Sequence, residues 1–127
     1  MTSPFDEYPD KYDTWYARYP HAYETELAAL RRLLPKDGPA LEVGVGTGRF
    51  AAPLGITFGI DLSLPMLRRA RESGVMVVAA NAAVIPFPDA GFAYVLVMMT
   101  LCFTSKPSLL LREARRVLRR RQGRYRL

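Results

Sequence analysis

The stretch Leu41-Glu42-Val43-Gly44-Val45-Gly46-Thr47-Gly48-Arg49-Phe50 constrains this chain more than any other. An apolar run ends in an acid, glycines follow at alternate positions, and a helix-compatible segment begins. This is how a buried strand turns sharply into a helix. Glycine tolerates positive φ and carries no side chain, so a ligand can lie against bare backbone beside the amides of the helix N-terminus. One glycine would serve a plain turn. Three of them, with an acid two residues ahead of the first, predict a ligand cradle.

At 127 residues, half of them hydrophobic, the chain suits one domain with a core of its own. No apolar run approaches the length of a membrane span, and Asp6, Glu7 and Asp10 give the N-terminus no signal-peptide character, which predicts a cytoplasmic protein. The single cysteine, Cys102, excludes an internal disulfide and any multi-cysteine metal site. The net charge of +6 invites a nucleic-acid reading, so its location matters. Eight arginines fall between Arg112 and Leu127 against Glu113 alone, leaving residues 1–111 at −1. The body is nearly neutral, the basicity reads as a solvated helix face and tail, and a nucleic-acid partner is disfavoured.

Five of the seven tyrosines and the only tryptophan fall within the first 23 residues. Tyr8, Tyr12 and Tyr16 are four apart and would share a helix face, either as a lid over a ligand or as packing against the domain. His21 stands alone, with no group spaced to make it a ligand or relay. A helix follows from Ala22 to Leu34, and Pro35, Asp37, Gly38 and Pro39 stop it.

The first strand begins at Ala40 and delivers Glu42 and the glycines; Pro53 and Gly55 keep the next helix brief. Ile56 to Ile60 is the second strand, ending at Asp61. An acid there points across the crevice to where a ribose sits in doubly wound sheets. Ser63 can cap the helix from Leu64 to Ser73 unaided, which leaves Asp61 free for a ligand. Val75 to Ala79 reads as a buried third strand, the run from Phe92 begins the fourth, and Ser105 and Pro107 open a last helix. The alternation predicts an α/β fold, a Rossmann-like doubly wound parallel sheet of about four strands, with the ligand at the switch between the first and fourth.

The glycine stretch, Gly59-Ile60-Asp61-Leu62-Ser63 with Met66, Asn81-Ala82 before Ile85-Pro86-Phe87-Pro88-Asp89, and Leu111-Arg112-Glu113-Ala114-Arg115-Arg116-Val117-Leu118 together resemble class I S-adenosylmethionine-dependent methyltransferases. The similarity is to the small-molecule branch related to ubiquinone and menaquinone biosynthesis enzymes, and covers about residues 38–118. It implies that Glu42, Gly44, Gly46 and Gly48 surround the methionine part of the cofactor and that Asp61 takes the ribose hydroxyls. Leu62 and Met66 would flank the adenine, with Asn81 and the Ala82 amide on its edge. Asn81 stands where the family more often has aspartate. Met99 and Thr100 would lie near the sulfonium, and Tyr12 and Tyr16 would close the site. The implied product is S-adenosylhomocysteine and the implied partner a small methyl acceptor. No general base is evident.

The resemblance divides the chain into an N-terminal aromatic and helical lid (1–37), the cofactor-binding core (38–118) and a basic tail (119–127). After Leu118 the family usually continues with a glycine turn and further strands, whereas this sequence runs into arginines. It reads as a shortened form whose fourth strand becomes a sheet edge open to self-association. A catalytically silent fragment is the alternative function. A nicotinamide-dinucleotide enzyme fits less well, because Arg49 stands where that fingerprint wants glycine or alanine.

Overall fold

A computed structural model describes residues 9–98 and 104–119. Its order is α1 (Pro9–Arg18), α2 (Pro20–Leu33), β1 (Ala40–Val43), α3 (Ala51–Leu54), β2 (Phe58–Asp61), α4 (Leu64–Glu72), β3 (Met76–Ala79), β4 (Tyr94–Val97) and α5 (Pro107–Val117). The strands form one parallel sheet ordered β3-β2-β1-β4. This is the expected Rossmann-like arrangement, with β1 and β4 adjacent where the strand order reverses.

Residues 9–18 of the aromatic N-terminal segment form α1, Tyr8 lies outside the described residues, and Pro20 separates α1 from α2 because proline has no N–H to continue a helix but fits its first turn. Gly55, in the left-handed conformation, ends α3 after four residues. Ser63 Oγ accepts from the Met66 amide at 3.4 Å and caps α4 as its position in the sequence suggested. Parallel pairing of β1 with β2 and of β2 with β3 requires crossover connections, which carry α3 and α4. Leu41, Val43, Ile60, Val95, Leu110, Ala114 and Val117 form the centre of the core.

One edge differs from expectation, while the other, β4, stands at the rim as expected. β3 is not buried: Met76 is 58% and Val78 38% exposed, while Val77 between them packs on the core. An apolar run cannot say whether its strand lies at the middle or the rim of a sheet, and β3 lies at the rim. At the other edge, β4 is fully paired to β1 on its inner side. On its outer side Leu118 makes a parallel bridge to Phe92, with the Phe92 amide donating to Val117 O at 2.9 Å and the Arg119 amide to Phe92 O at 2.8 Å. The Ala90 amide donates to Arg116 O at 2.9 Å just before it, and among the described residues no strand pairs with the outer side of Tyr94–Val97. The tail beyond Arg119 lies outside them.

Candidate functional site

The three spaced glycines adopt the backbone that side chains resist, with φ of 75° at Gly44, 57° at Gly46 and 82° at Gly48. That geometry turns successive amides of the loop towards the end of β2. Gly44 and Val45 both donate to Ile60 O, at 2.9 and 3.0 Å, and the Gly46 amide donates to Asp61 Oδ2 at 2.9 Å. Gly59 permits the approach, since a Cβ there would lie 2.6 Å from Val45 Cβ and Cγ2. The strand ends and the turn are therefore one hydrogen-bonded unit.

Asp61, which capping by Ser63 would leave without local duties, is engaged by backbone amides. Its Oδ1 also accepts from the Ser63 amide, at 3.0 Å. Both oxygens are thus oriented by backbone, and each keeps a lone pair for a further donor such as a hydroxyl. Glu42 is 2% exposed, and its Oε1 is buried without a hydrogen-bond partner. Burial pushes its carboxyl well above the usual range, the nearby Asp61 charge pushes it further, and a hydrogen bond with the Ala51 backbone opposes both. An orphaned acceptor in a buried place is costly unless a donor arrives. A bound cationic amine beside the glycine loop would supply one, so this acid fits the aminoacid end of S-adenosylmethionine.

On the neighbouring strand ends, Leu62 is exposed, whereas Met66 is fully buried on the inner side of α4. Asn81 is exposed and follows β3, which pairs in register with β2. Its Oδ1 already accepts from the Ala83 amide at 2.9 Å, closing a turn around the half-buried Ala82. Val97, the last residue of β4, stands opposite Val43. Met99 and Thr100 lie outside the described residues, as does the side chain of Tyr12.

Sequence reasoning missed how α1 is held. Tyr16 is buried, its ring edge-on to Tyr23 at 5.5 Å and to Phe50 at 5.7 Å. One turn earlier, Asp13 Oδ1 accepts from Thr47 Oγ at 2.7 Å and from Arg49 Nε at 2.9 Å, and Oδ2 accepts from Arg69 at 3.1 Å. Arg49 donates also to the Asp13 carbonyl, and its guanidinium lies over the rings of Tyr16 and Tyr23. Burial opposes ionisation of Asp13, but the donors from Thr47, Arg49 and Arg69 outweigh it and hold its carboxyl below the usual range. These partners are 34 to 56 residues away in sequence, so no local pattern announces them. A cavity of about 770 Å³ opens beside this cluster, between the glycine loop and α4, lined by Asp13, Thr47, Arg49, Arg68 and Arg69. It flanks the glycine loop and does not include Glu42 or Asp61 among its lining residues.

Nor is the basic last helix only a solvated face. Arg116 donates to both oxygens of Glu113, at 2.6 and 3.1 Å, to Asp89 at 2.7 Å, and to the carbonyls of Ile85 and Phe87. Glu113 in turn accepts from the Ile85 amide at 2.9 Å. One guanidinium pins the connection that leads from Asn81 into β4. Among the described residues, no group of acids, histidines or cysteines is placed to hold a metal, and no helix is long and apolar enough to cross a membrane.

Comparison with known proteins agrees with this geometry. Residues 41–124 match the methyltransferase domain family. An uncharacterized protein of Methanocaldococcus jannaschii is 41% identical over 116 residues, covering 91% of this chain and 56% of that protein. A demethylmenaquinone methyltransferase of a Roseiflexus species is 33% identical over 95 residues, 67% of this chain and 40% of the enzyme. The crystal structure of a SAM-dependent methyltransferase of Thermotoga maritima, named as a possible histamine N-methyltransferase, superposes with a TM-score of 0.88 at 40% identity, over 91% of this chain and 56% of that one. The chain thus spans about half the length of the relatives it matches. With a glycine turn stitched to an acid on the next strand and a family match over most of its core, the chain belongs to the S-adenosylmethionine-dependent methyltransferases.

Proposed function

We propose that this chain binds S-adenosylmethionine in the crevice above β1 and β2 and serves methyl transfer to a small molecule. The observation that carries the reading is the bond from Gly46 to Asp61 beside the buried, half-satisfied Glu42. A bare backbone, a backbone-oriented carboxylate and an orphaned buried acid are the three features that a nucleoside with an aminoacid tail requires. Glu42 would receive the ammonium, Asp61 the ribose hydroxyls, and the turn closed by Asn81 the adenine edge. When bound, the cofactor would supply a methyl group on a sulfonium, an electrophile for the lone pair of an acceptor. The protein's own part is to orient the two reactants and exclude water. The acceptors named for two of the relatives, an amine and a quinone, are both small molecules, which supports that class here. The near-neutral body agrees with it.

Titration calorimetry with S-adenosylmethionine, S-adenosylhomocysteine and NAD tests the reading. The first two should bind and NAD should not. Asp61→Ala should weaken both by about 10- to 150-fold, the equivalent of a charge-assisted bond lost. Unchanged affinity would remove the ribose assignment. Association through the outer edge of β4 also belongs to this reading, and sedimentation showing a monomer at all concentrations would dismiss it.

A further inference from the structure

The hydrogen bonds around Asp13 join two parts of the chain that local structure leaves unconnected. α1 is a helix of ten residues in which, among the described side chains, Tyr16 alone is buried. A single ring gives such a helix little purchase. What fixes its position is a carboxylate with three side-chain donors, two of which, Thr47 and Arg49, flank Gly48 in the ligand cradle itself. Thr47 is buried, and its hydroxyl is committed to Asp13. Arg49 adds a second bond to the Asp13 carbonyl, so the guanidinium grips both the side chain and the backbone of α1. The third donor, Arg69, comes from α4 and ties the helix following Asp61 to the same point.

We infer that Asp13 is a positioning residue: it latches α1 onto the glycine loop, so that seating of this helix and cofactor affinity are coupled. The inference rests on the cofactor reading above. If Asp13 lets go, Thr47 loses the acceptor of a buried hydroxyl and Arg49 loses two, and the backbone between Gly46 and Arg49 must find other partners. Gly46 is the residue whose amide orients Asp61. The disturbance therefore runs from α1 through Thr47 to the ribose carboxylate. Coupling is reciprocal, so a bound cofactor that holds the loop must also hold α1.

Trp15 makes this measurable. It is the only tryptophan, lies on α1 two residues from Asp13, and is half exposed with its ring against Tyr16 and Tyr19 at 5.0 Å. Acrylamide quenching of Trp15 reports helix seating, and calorimetry with S-adenosylhomocysteine reports the site. Asp13→Asn keeps the shape and removes the charge. It should raise quenching in the free protein, lower affinity by about tenfold, and recover most of the original quenching when saturated with ligand. Arg49→Lys, which keeps charge but cannot fork, should act in the same direction, and the double variant should be no worse than the poorer single one. Affinity within twofold of the unmodified chain, or quenching indifferent to both substitution and ligand, would overturn the latch even if the melting temperature fell. Should the unmodified chain bind no ligand, the cofactor reading fails, while the latch still stands or falls on the quenching of the free variants.

Discussion

Replacing Gly59 by alanine tests whether the glycine loop and β2 are packed as one unit. Gly59 lies in an interior strand, paired to Glu42 on one side and Val77 on the other, so it cannot shift without breaking a ladder. An added Cβ would stand 2.6 Å from Val45 Cβ and Cγ2 and 2.7 Å from Cγ1, roughly an ångström inside ordinary contact for each of three atoms. Val45 is buried between Gly44 and Gly46 and has nowhere to retreat except by moving the loop. Overpacking of this kind costs about 3 kcal/mol at the upper end of its usual range. The stiffer unfolded chain offsets up to about 1 kcal/mol of that. The remaining loss of about 2 kcal/mol corresponds, for a chain of this length, to a fall in melting temperature of roughly 7 °C. Scanning calorimetry measures it. Val45→Gly removes all three obstructing atoms, so adding Gly59→Ala to that background should cost almost nothing, whereas Val45→Ala, which keeps Cβ, should rescue only in part. A melting temperature within about 2 °C of the unmodified chain, or equal cost in both backgrounds, would refute the reasoning.

Glu42→Gln should flatten the pH dependence of stability. Because the folded-state carboxyl titrates well above its ordinary value of 4.5, the folded protein holds a proton that the unfolded chain releases, and stability falls as pH rises above that value. Urea midpoints between pH 4 and 8 should therefore converge at the acid end, with the variant gaining as pH rises; parallel profiles would dismiss the buried acid as the cause. The same substitution should weaken S-adenosylmethionine binding and abolish any proton release on binding, read by calorimetry in buffers of different ionisation enthalpy. Arg116→Ala should cost about 2 to 3 kcal/mol, because it strips donors from two loop carbonyls and from Glu113 together. Asp89→Asn, at a side chain 80% exposed, should cost under about 0.5 kcal/mol by chemical denaturation, and equal effects would contradict the clamp. The hydrogen bond from Arg116 holds the Glu113 carboxyl below its usual range, so that contribution is present above pH 4.5 and fades as pH falls through the depressed value.

Much of this architecture was legible in residue order, because it follows from interactions between neighbours. Alternate glycines permit the positive φ that Gly44, Gly46 and Gly48 adopt, Ser63 caps α4 within its own turn, and apolar runs alternating with helical segments point to a parallel sheet with crossover helices. The same local logic located Asp61 at a strand end. What it could not supply was the company each group keeps. Asp61 looked unengaged until the fold brought the Gly46 amide against it. An apolar β3 looked buried until the sheet left it at the rim. Arg116 was one arginine among many until α5 lay against the connection from Ile85 to Asp89. Asp13 meets its partners only because α1, the glycine loop and α4 converge. Charge and hydrogen-bonding capacity are properties of a side chain, but whether they are satisfied depends on atoms dozens of residues away, and only folding places those atoms.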